Sequence, residues 1–72
     1  MTVYKLGDRV RVVKEGELFF GIKKHNAKLG EEGTITQIIN DEMLIVDFGR
    51  HFPENDSTIQ AMEDDELEKV EG

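Results

Sequence analysis

Residues 30–49, GEEGTITQIINDEMLIVDFG, contain two apolar runs that are separated by a short polar turn and bordered by a glycine at each end. Apolar side chains of the second run alternate between two faces, as they do in a strand. The isoleucines of the first run do not alternate cleanly, which predicts a β-bulge near residues 36–37. The stretch therefore predicts a central β-hairpin, with a turn at residues 40–42. We expect it to supply much of the core through Ile35, Ile39, Leu44, Val46 and Phe48.

A first strand is predicted before this hairpin, after a turn signal at Gly7 and Asp8. From residue 9 the order is Arg, Val, Arg, Val, so that Val10 and Val12 share one face of the strand. These two valines are the first predicted core residues.

The chain after the hairpin divides into a loop at residues 50–56, a strand at 58–62, a helical turn at 63–66 and a last strand at 67–70. The loop is predicted from Pro53, because proline has no amide to donate to a strand ladder. Within the fourth strand, Ile59 and Ala61 alternate with Gln60 and Met62. The acidic run that follows is typical of a solvated turn.

The composition fits one small domain that covers residues 1–72. A domain of this size buries only about 60% of the surface that its unfolded chain exposes. The chain contains no cysteine, so disulfides, thiolate metal sites and a cysteine nucleophile are excluded. No apolar run approaches the roughly 18 residues of a membrane span, and the opening residues lack the apolar stretch of a signal peptide. We expect a cytoplasmic protein.

Four to five short strands and a long early loop predict an all-β meander that closes into a barrel, since closure removes exposed edges. The order GDRVRVV, long loop, GEEGTITQI, LIVDFG and DDELEKV resembles the SH3-like barrel of the electron-transport accessory proteins. That group includes the variable chain of ferredoxin-thioredoxin reductase and a peripheral photosystem I subunit. The resemblance implies a barrel without a cofactor that docks against a larger protein. Small phage or prophage proteins of the YorP type are similar in length and plan.

Residues 15–32 fit neither the helical nor the strand period. A helix over residues 20–29 is disfavoured by Gly21 and Asn26, so we predict a long excursion that holds at most a short helical turn. Long loops are often functional, and this one combines aromatic and basic side chains. Two interpretations remain open: a binding surface, or a lid in which Leu18, Phe19 or Phe20, and Ile22 fold back over the core. The need of a small core for apolar residues favours the lid.

The formal net charge of −7 is unevenly distributed along the chain. Residues 1–30 carry seven basic and three acidic residues, whereas residues 54–72 carry eight acidic residues and one lysine. Opposite charges that lie close together on one barrel would explain this pattern, and so would a partner for either half. The alternative function is KOW-like RNA binding by the basic half, through Arg9, Arg11, Lys14, Lys23, Lys24, Lys28 and His25, with Tyr4, Phe19 and Phe20 for stacking.

Catalytic and metal-binding patterns are not found in the sequence. Ser57 is the only serine and has no nucleophile motif around it. His25 and His51 are too far apart for a single-helix metal motif, and we expect both to lie on the surface. The acidic residues 63–66 lack the spacing of a calcium loop. We therefore expect no enzyme activity, no cofactor and no metal.

Binding to a larger protein is the function that these observations favour. The candidate surface is the excursion at residues 17–28, because aromatic side chains are preferred anchors at interfaces. A reader of proline-rich peptides is not indicated, since the chain has no tryptophan and one tyrosine. We expect a monomer or a weak homo-oligomer. The predicted partner-binding residues are Phe19, Phe20, Lys23, Lys24, His25 and Lys28.

Overall fold

The computed structural model describes residues 4–71, and almost all regular structure in this range is β. The strands are β1 (Arg9–Val12), β2 (Leu18–Phe19), β3 (Ile22–Lys23), β4 (Glu32–Ile38), β5 (Met43–Phe52), β6 (Ser57–Glu63) and β7 (Leu67–Lys69), with a 3₁₀ turn at Asp64–Glu66. Five strands form one antiparallel sheet in the order β6-β5-β4-β1-β7, and β2 pairs with β3 alone. The last strand thus returns beside the first. The predicted fold class, a small all-β SH3-like barrel with a long excursion after its first strand, is confirmed, but β6 and β7 do not pair, so the expected removal of exposed edges is wrong.

The central hairpin forms as predicted from strands β4 and β5. Its register shifts between Ile35 and Gln37, where the sequence predicts the bulge. The turn is closed by the Asn40 side chain, whose Oδ1 accepts hydrogen bonds from the backbone N–H groups of Glu42 (2.8 Å) and Met43 (3.0 Å). Asparagine is favoured in turns for this local bonding. The polar residues between the apolar runs therefore fix the geometry of the hairpin.

The core contains Val10, Val12, Ala27, Ile35, Leu44, Val46, Phe52, Met62 and Leu67. Two of the residues predicted to lie in the core are not fully buried there. Ile39 lies beyond the end of β4 and is half-exposed because no element covers it, and Phe48 is only partly buried against the core. Phe52, which lies in the loop that Pro53 predicts, is the largest fully buried side chain.

Strand β5 continues three residues beyond the predicted start of the loop. The pairing of β5 with β6 shifts between Asp47 and Phe52, so that four residues of β5 stand opposite one residue of β6. Gly49 lies in this irregular segment with φ +71°, a conformation that glycine adopts without steric cost. After the irregular segment, β5 pairs with β6 again at Phe52, and the Phe52 side chain lies in the core.

The elements after β5 match their predictions closely. The fourth predicted strand is β6, the acidic residues form the 3₁₀ turn, and the last strand is β7. Val12 in β1 stands opposite Leu67 in β7. This pairing brings the two ends of the described chain together. Residues 4–71 contain no helix long and apolar enough to cross a membrane.

The excursion after β1 has regular structure that the sequence does not predict. It contains no helical turn at residues 20–29 and instead forms a two-stranded hairpin, β2–β3. The lid interpretation is wrong, because Leu18, Phe19, Phe20 and Ile22 are all strongly exposed. The barrel fills its core without them, and Phe52 and Met62 are among its fully buried side chains.

Candidate docking surface

Four large apolar side chains project from the β2–β3 hairpin into solvent. Leu18, Phe19, Phe20 and Ile22, here called the apolar tip, are between 65% and 90% exposed. The two phenylalanine rings contact each other edge to face, with 4.5 Å between their centroids. Single exposed apolar residues are ordinary, but a contiguous group of them marks an interaction site.

The turn of this hairpin holds a phenylalanine in a conformation that phenylalanine rarely adopts. Phe20 has φ +52° and Gly21 has φ +76°, so both central residues have the positive φ that a type I′ turn requires. Glycine or asparagine normally occupies such positions. For an ordinary L-residue the left-handed conformation costs roughly 1–2 kcal/mol. Phe20 is also the most exposed member of the apolar tip, at 90%, so burial within the described chain does not offset this strain.

The base of the hairpin is held by a tight backbone contact. A Cβ atom on Gly16 would lie 2.2 Å from the carbonyl oxygen of His25, so only glycine lets the two legs of the hairpin approach this closely. A backbone hydrogen bond of 3.0 Å joins Lys24 N–H to Glu17 C=O one step nearer the tip. The tip therefore projects from a fixed base.

His25 lies in this base and is fully buried, so the expectation that it is exposed and contacts a partner is wrong. Its Nδ1 accepts a hydrogen bond from Ala27 N–H (3.1 Å), and its Nε2 lies 3.0 Å from the carbonyl oxygen of Lys14. This pattern assigns the ring proton to Nε2, which donates to Lys14. His25 thus joins the two legs of the hairpin. His51, by contrast, is exposed as predicted.

A buried carboxylate connects this base to the barrel. Glu66, in the 3₁₀ turn, is 3% exposed, and its Oε2 lies 3.4 Å from His25 Nε2. Its Oε1 accepts a hydrogen bond of 2.8 Å from Glu63 N–H. The sequence predicts a solvated turn for the whole acidic run, and this prediction is wrong for Glu66. Only the reciprocal capping pattern of Glu63 and Glu66 distinguishes Glu66 from its acidic neighbours.

The predicted lysines have different environments. Lys24 forms a 2.6 Å ion pair with Glu63, and this hydrogen bond raises the pKa of Lys24. Lys23 stands opposite Leu18 in the hairpin, and Lys28 lies in the connection to β4; neither forms an ion pair with another residue of the described chain. Of the six predicted residues, Phe19, Phe20 and Lys23 therefore share the projecting part of the hairpin, Lys24 and His25 lie in its base, and Lys28 lies elsewhere.

The other three basic residues of the predicted RNA-binding set are paired with acids. Arg11 binds Glu68 at 2.7 Å and Glu32 at 3.3 Å, and both hydrogen bonds raise its pKa. The remaining pairs are Arg9 with Glu32 and Lys14 with Glu17 and Asp65. Tyr4 is not free for stacking, because it packs against the core and donates a hydrogen bond to the carbonyl oxygen of Leu67. The explanation that opposite charges lie close together on one barrel is confirmed.

No cluster of three or more metal-ligating side chains occurs within residues 4–71. Comparison with protein families, with curated proteins and with solved structures yields no significant match to this chain. The functional argument therefore depends on the geometry and chemistry of the surface.

Proposed function

We propose that this chain is a small cytoplasmic accessory module without enzyme activity, which docks onto a larger protein through the apolar tip of its β2–β3 hairpin. The observation that carries the proposal is Phe20, a large apolar side chain that is 90% exposed in a left-handed turn conformation. Strained backbone at an exposed position is a recognised mark of functional sites. The resemblance to electron-transport accessory barrels supports the same class of function.

The shape and support of the hairpin suit docking. Aromatic side chains are enriched among the residues that dominate binding energy, and here two of them lie on the same short hairpin as the exposed Leu18 and Ile22. The Gly16 contact and the buried His25 fix the base, so a partner would order few further residues. Fixing the bound conformation in advance lowers the entropic cost of association.

A protein partner is favoured over a nucleic acid by the charges around the tip. Lys23 is the one basic residue of the β2–β3 strands, and Lys24 beside it is neutralised by Glu63. Nucleic-acid binding needs several cations free to replace counterions at phosphates. An apolar tip with one free lysine instead matches an apolar pocket that carries an acidic group at its rim.

The test is site-specific photo-crosslinking in the protein's own host. A photoreactive phenylalanine analogue at position 20 should crosslink one discrete protein, whereas the analogue at position 6 should not, although Leu6 is also an exposed apolar residue. Purified protein should compete for this crosslink. The double variant Phe19→Ala with Phe20→Ala should fold normally but fail to compete, while Leu6→Ala should compete like the wild type.

Two results would contradict the proposal. One is a crosslinking pattern that is the same at positions 6 and 20. The other is undiminished competition by a folded double variant, since binding would then not use the tip.

A further inference from the structure

A groove runs between the β2–β3 hairpin and strand β6. It has a volume of about 620 Å³, and its lining includes Leu18, Ile22 and Lys23 from the hairpin and Gln60 and Ala61 from β6. A volume of this size lies within the range of protein binding sites. The groove is therefore large enough for a short stretch of another chain.

Strand β6 is at the edge of the five-stranded sheet, so one of its sides is unpaired. Backbone groups of an antiparallel strand alternate between a residue bonded to the neighbour and a residue facing away. Asp64 N–H donates to the carbonyl oxygen of Glu42 (2.9 Å), and the register continues through Met62 opposite Leu44. The backbone N–H and C=O of Ala61 must then face away from β5.

The other outward groups near Ala61 are mostly bonded to nearby side chains. Ile59 N–H donates to Ser57 Oγ (3.2 Å), and the Ile59 carbonyl oxygen accepts from Asn55 Nδ2 (3.1 Å). Glu63 N–H donates to Glu66 Oε1. These bonds protect the edge against unspecific pairing. They leave the N–H and C=O of Ala61 as a donor and an acceptor side by side at the groove.

We infer that an extended segment of the partner protein adds to the sheet along β6, bonding its backbone to Ala61. Strand addition of this kind takes affinity from backbone hydrogen bonds and specificity from the side-chain pockets beside the edge. Leu18 and Ile22 would contact an apolar side chain of that segment, and Lys23 would attract an acidic one. The inference rests on the proposed function and identifies the partner's binding element as an extended peptide with alternating apolar and acidic residues.

The first experiment selects random seven-residue displayed peptides on the immobilised protein. The selected peptides should alternate apolar and acidic residues. On titration with a synthetic peptide, the amide of Ala61 should shift in NMR spectra and become protected from hydrogen exchange. Lys23→Gln should weaken binding about two- to fivefold, as expected for an exposed ion pair.

Ala61→Pro removes the donor without disturbing the pairing with β5, because proline is tolerated on an edge strand where its nitrogen faces outward. This variant should bind the peptide at least tenfold more weakly, whereas Ala61→Ser, which keeps the N–H, should bind like the wild type. N-methylating the peptide one residue at a time tests the same hydrogen bonds without changing the protein. One methylated position should abolish binding.

Three outcomes would overturn the inference. One is a peptide that shifts the NMR signals of Phe19 and Phe20 but leaves the amide hydrogen of Ala61 unprotected from exchange. This result would overturn strand addition and support docking at the tip. Failure to select any peptide would also overturn it, and the crosslinking experiment would still decide the proposed function. Protection of Ala61 that grows with protein concentration in the absence of peptide would assign the edge to a second copy of the chain.

Discussion

At the scale of single residues, Phe20 is the position where stability and function are expected to conflict. Replacing it with asparagine, which tolerates the left-handed conformation, should raise the free energy of unfolding by up to about 1 kcal/mol. Urea denaturation measures this change. Phe19→Asn is the matched control, since Phe19 has no positive φ and should show no such gain. A Phe20→Asn variant that is less stable than the wild type would remove the argument from strain.

The two histidines provide a second test at this scale. His25→Ala should destabilise the protein by about 2–4 kcal/mol, because it leaves a cavity and removes the buried hydrogen bond to the carbonyl oxygen of Lys14. His51→Ala should change stability by less than about 0.5 kcal/mol, since His51 is exposed and its ring bonds only to Asp56 within the described chain. Equal effects in thermal or urea unfolding would contradict the role assigned to His25.

At the scale of elements, the sequence predicts structure wherever periodicity is strong and local. Alternation along β5, the broken alternation in β4 and the turn at Asn40 together predict the central hairpin and its bulge. Strand β1 and the elements after β5 follow from the same kind of pattern. Each of these signals is contained within a few residues, so tertiary contacts do not override it.

The failed predictions concern residues whose position depends on distant parts of the chain. Phe52 precedes a proline and looks like part of a loop, but the irregular segment around Gly49 returns it to the core. His25 is buried because Gly16 and Glu66, far from it in sequence, enclose it. The apolar tip was predicted as a candidate surface, but apolar residues alone cannot distinguish a surface from a lid. That distinction depends on whether other side chains already fill the core.

The extension of β5 also predicts that the stability of the fold depends on pH. Arg50, in this extension, binds Glu31 through two hydrogen bonds of 2.7 and 2.8 Å and lies 3.8 Å above the Phe52 ring. The bonds from Arg50 hold the pKa of Glu31 below its usual value, so folding favours the ionised carboxylate. This contribution is present above the pKa of Glu31 in the unfolded chain, and it is lost as pH falls through the pKa in the folded protein.

Glu31→Gln should therefore cost about 1 kcal/mol at neutral pH, as for a partly exposed ion pair near the surface, and nothing at strongly acidic pH. Urea unfolding of both proteins across the acid range measures the difference. Glu15→Gln is the control, because Glu15 forms no ion pair within residues 4–71 and its substitution should leave the pH profile unchanged. If the loss of unfolding free energy in Glu31→Gln is the same at neutral and acidic pH, the carboxylate charge does not cause it, and the prediction is wrong.

At the scale of the whole molecule, folding neutralises the charge asymmetry of the sequence. Strand β7 pairs with β1, which brings Glu68 beside Arg11, and the 3₁₀ turn brings Asp65 near Lys14. Three cations of the first half, Arg11, Lys14 and Lys24, thus face carboxylates of the acidic end. A fold that joins its two ends in this way converts a basic half and an acidic half into one surface of mixed charge.

This neutralisation predicts that the protein binds RNA with a Kd weaker than about 100 μM, the weak end of the range for unspecific nucleic-acid binding, even in low-salt buffer. Fluorescence anisotropy with a labelled single-stranded RNA measures the affinity. The triple variant Glu32→Gln, Glu63→Gln and Glu68→Gln releases Arg11 and Lys24 from their partners and raises the net charge by three units. It should bind RNA measurably, and more tightly as salt is lowered, because the substitutions add unpaired Arg11 and Lys24 to the few unpaired cations of the wild type. Tight wild-type binding that weakens with salt and is lost in Lys23→Glu with Lys24→Glu would instead establish the RNA-binding alternative.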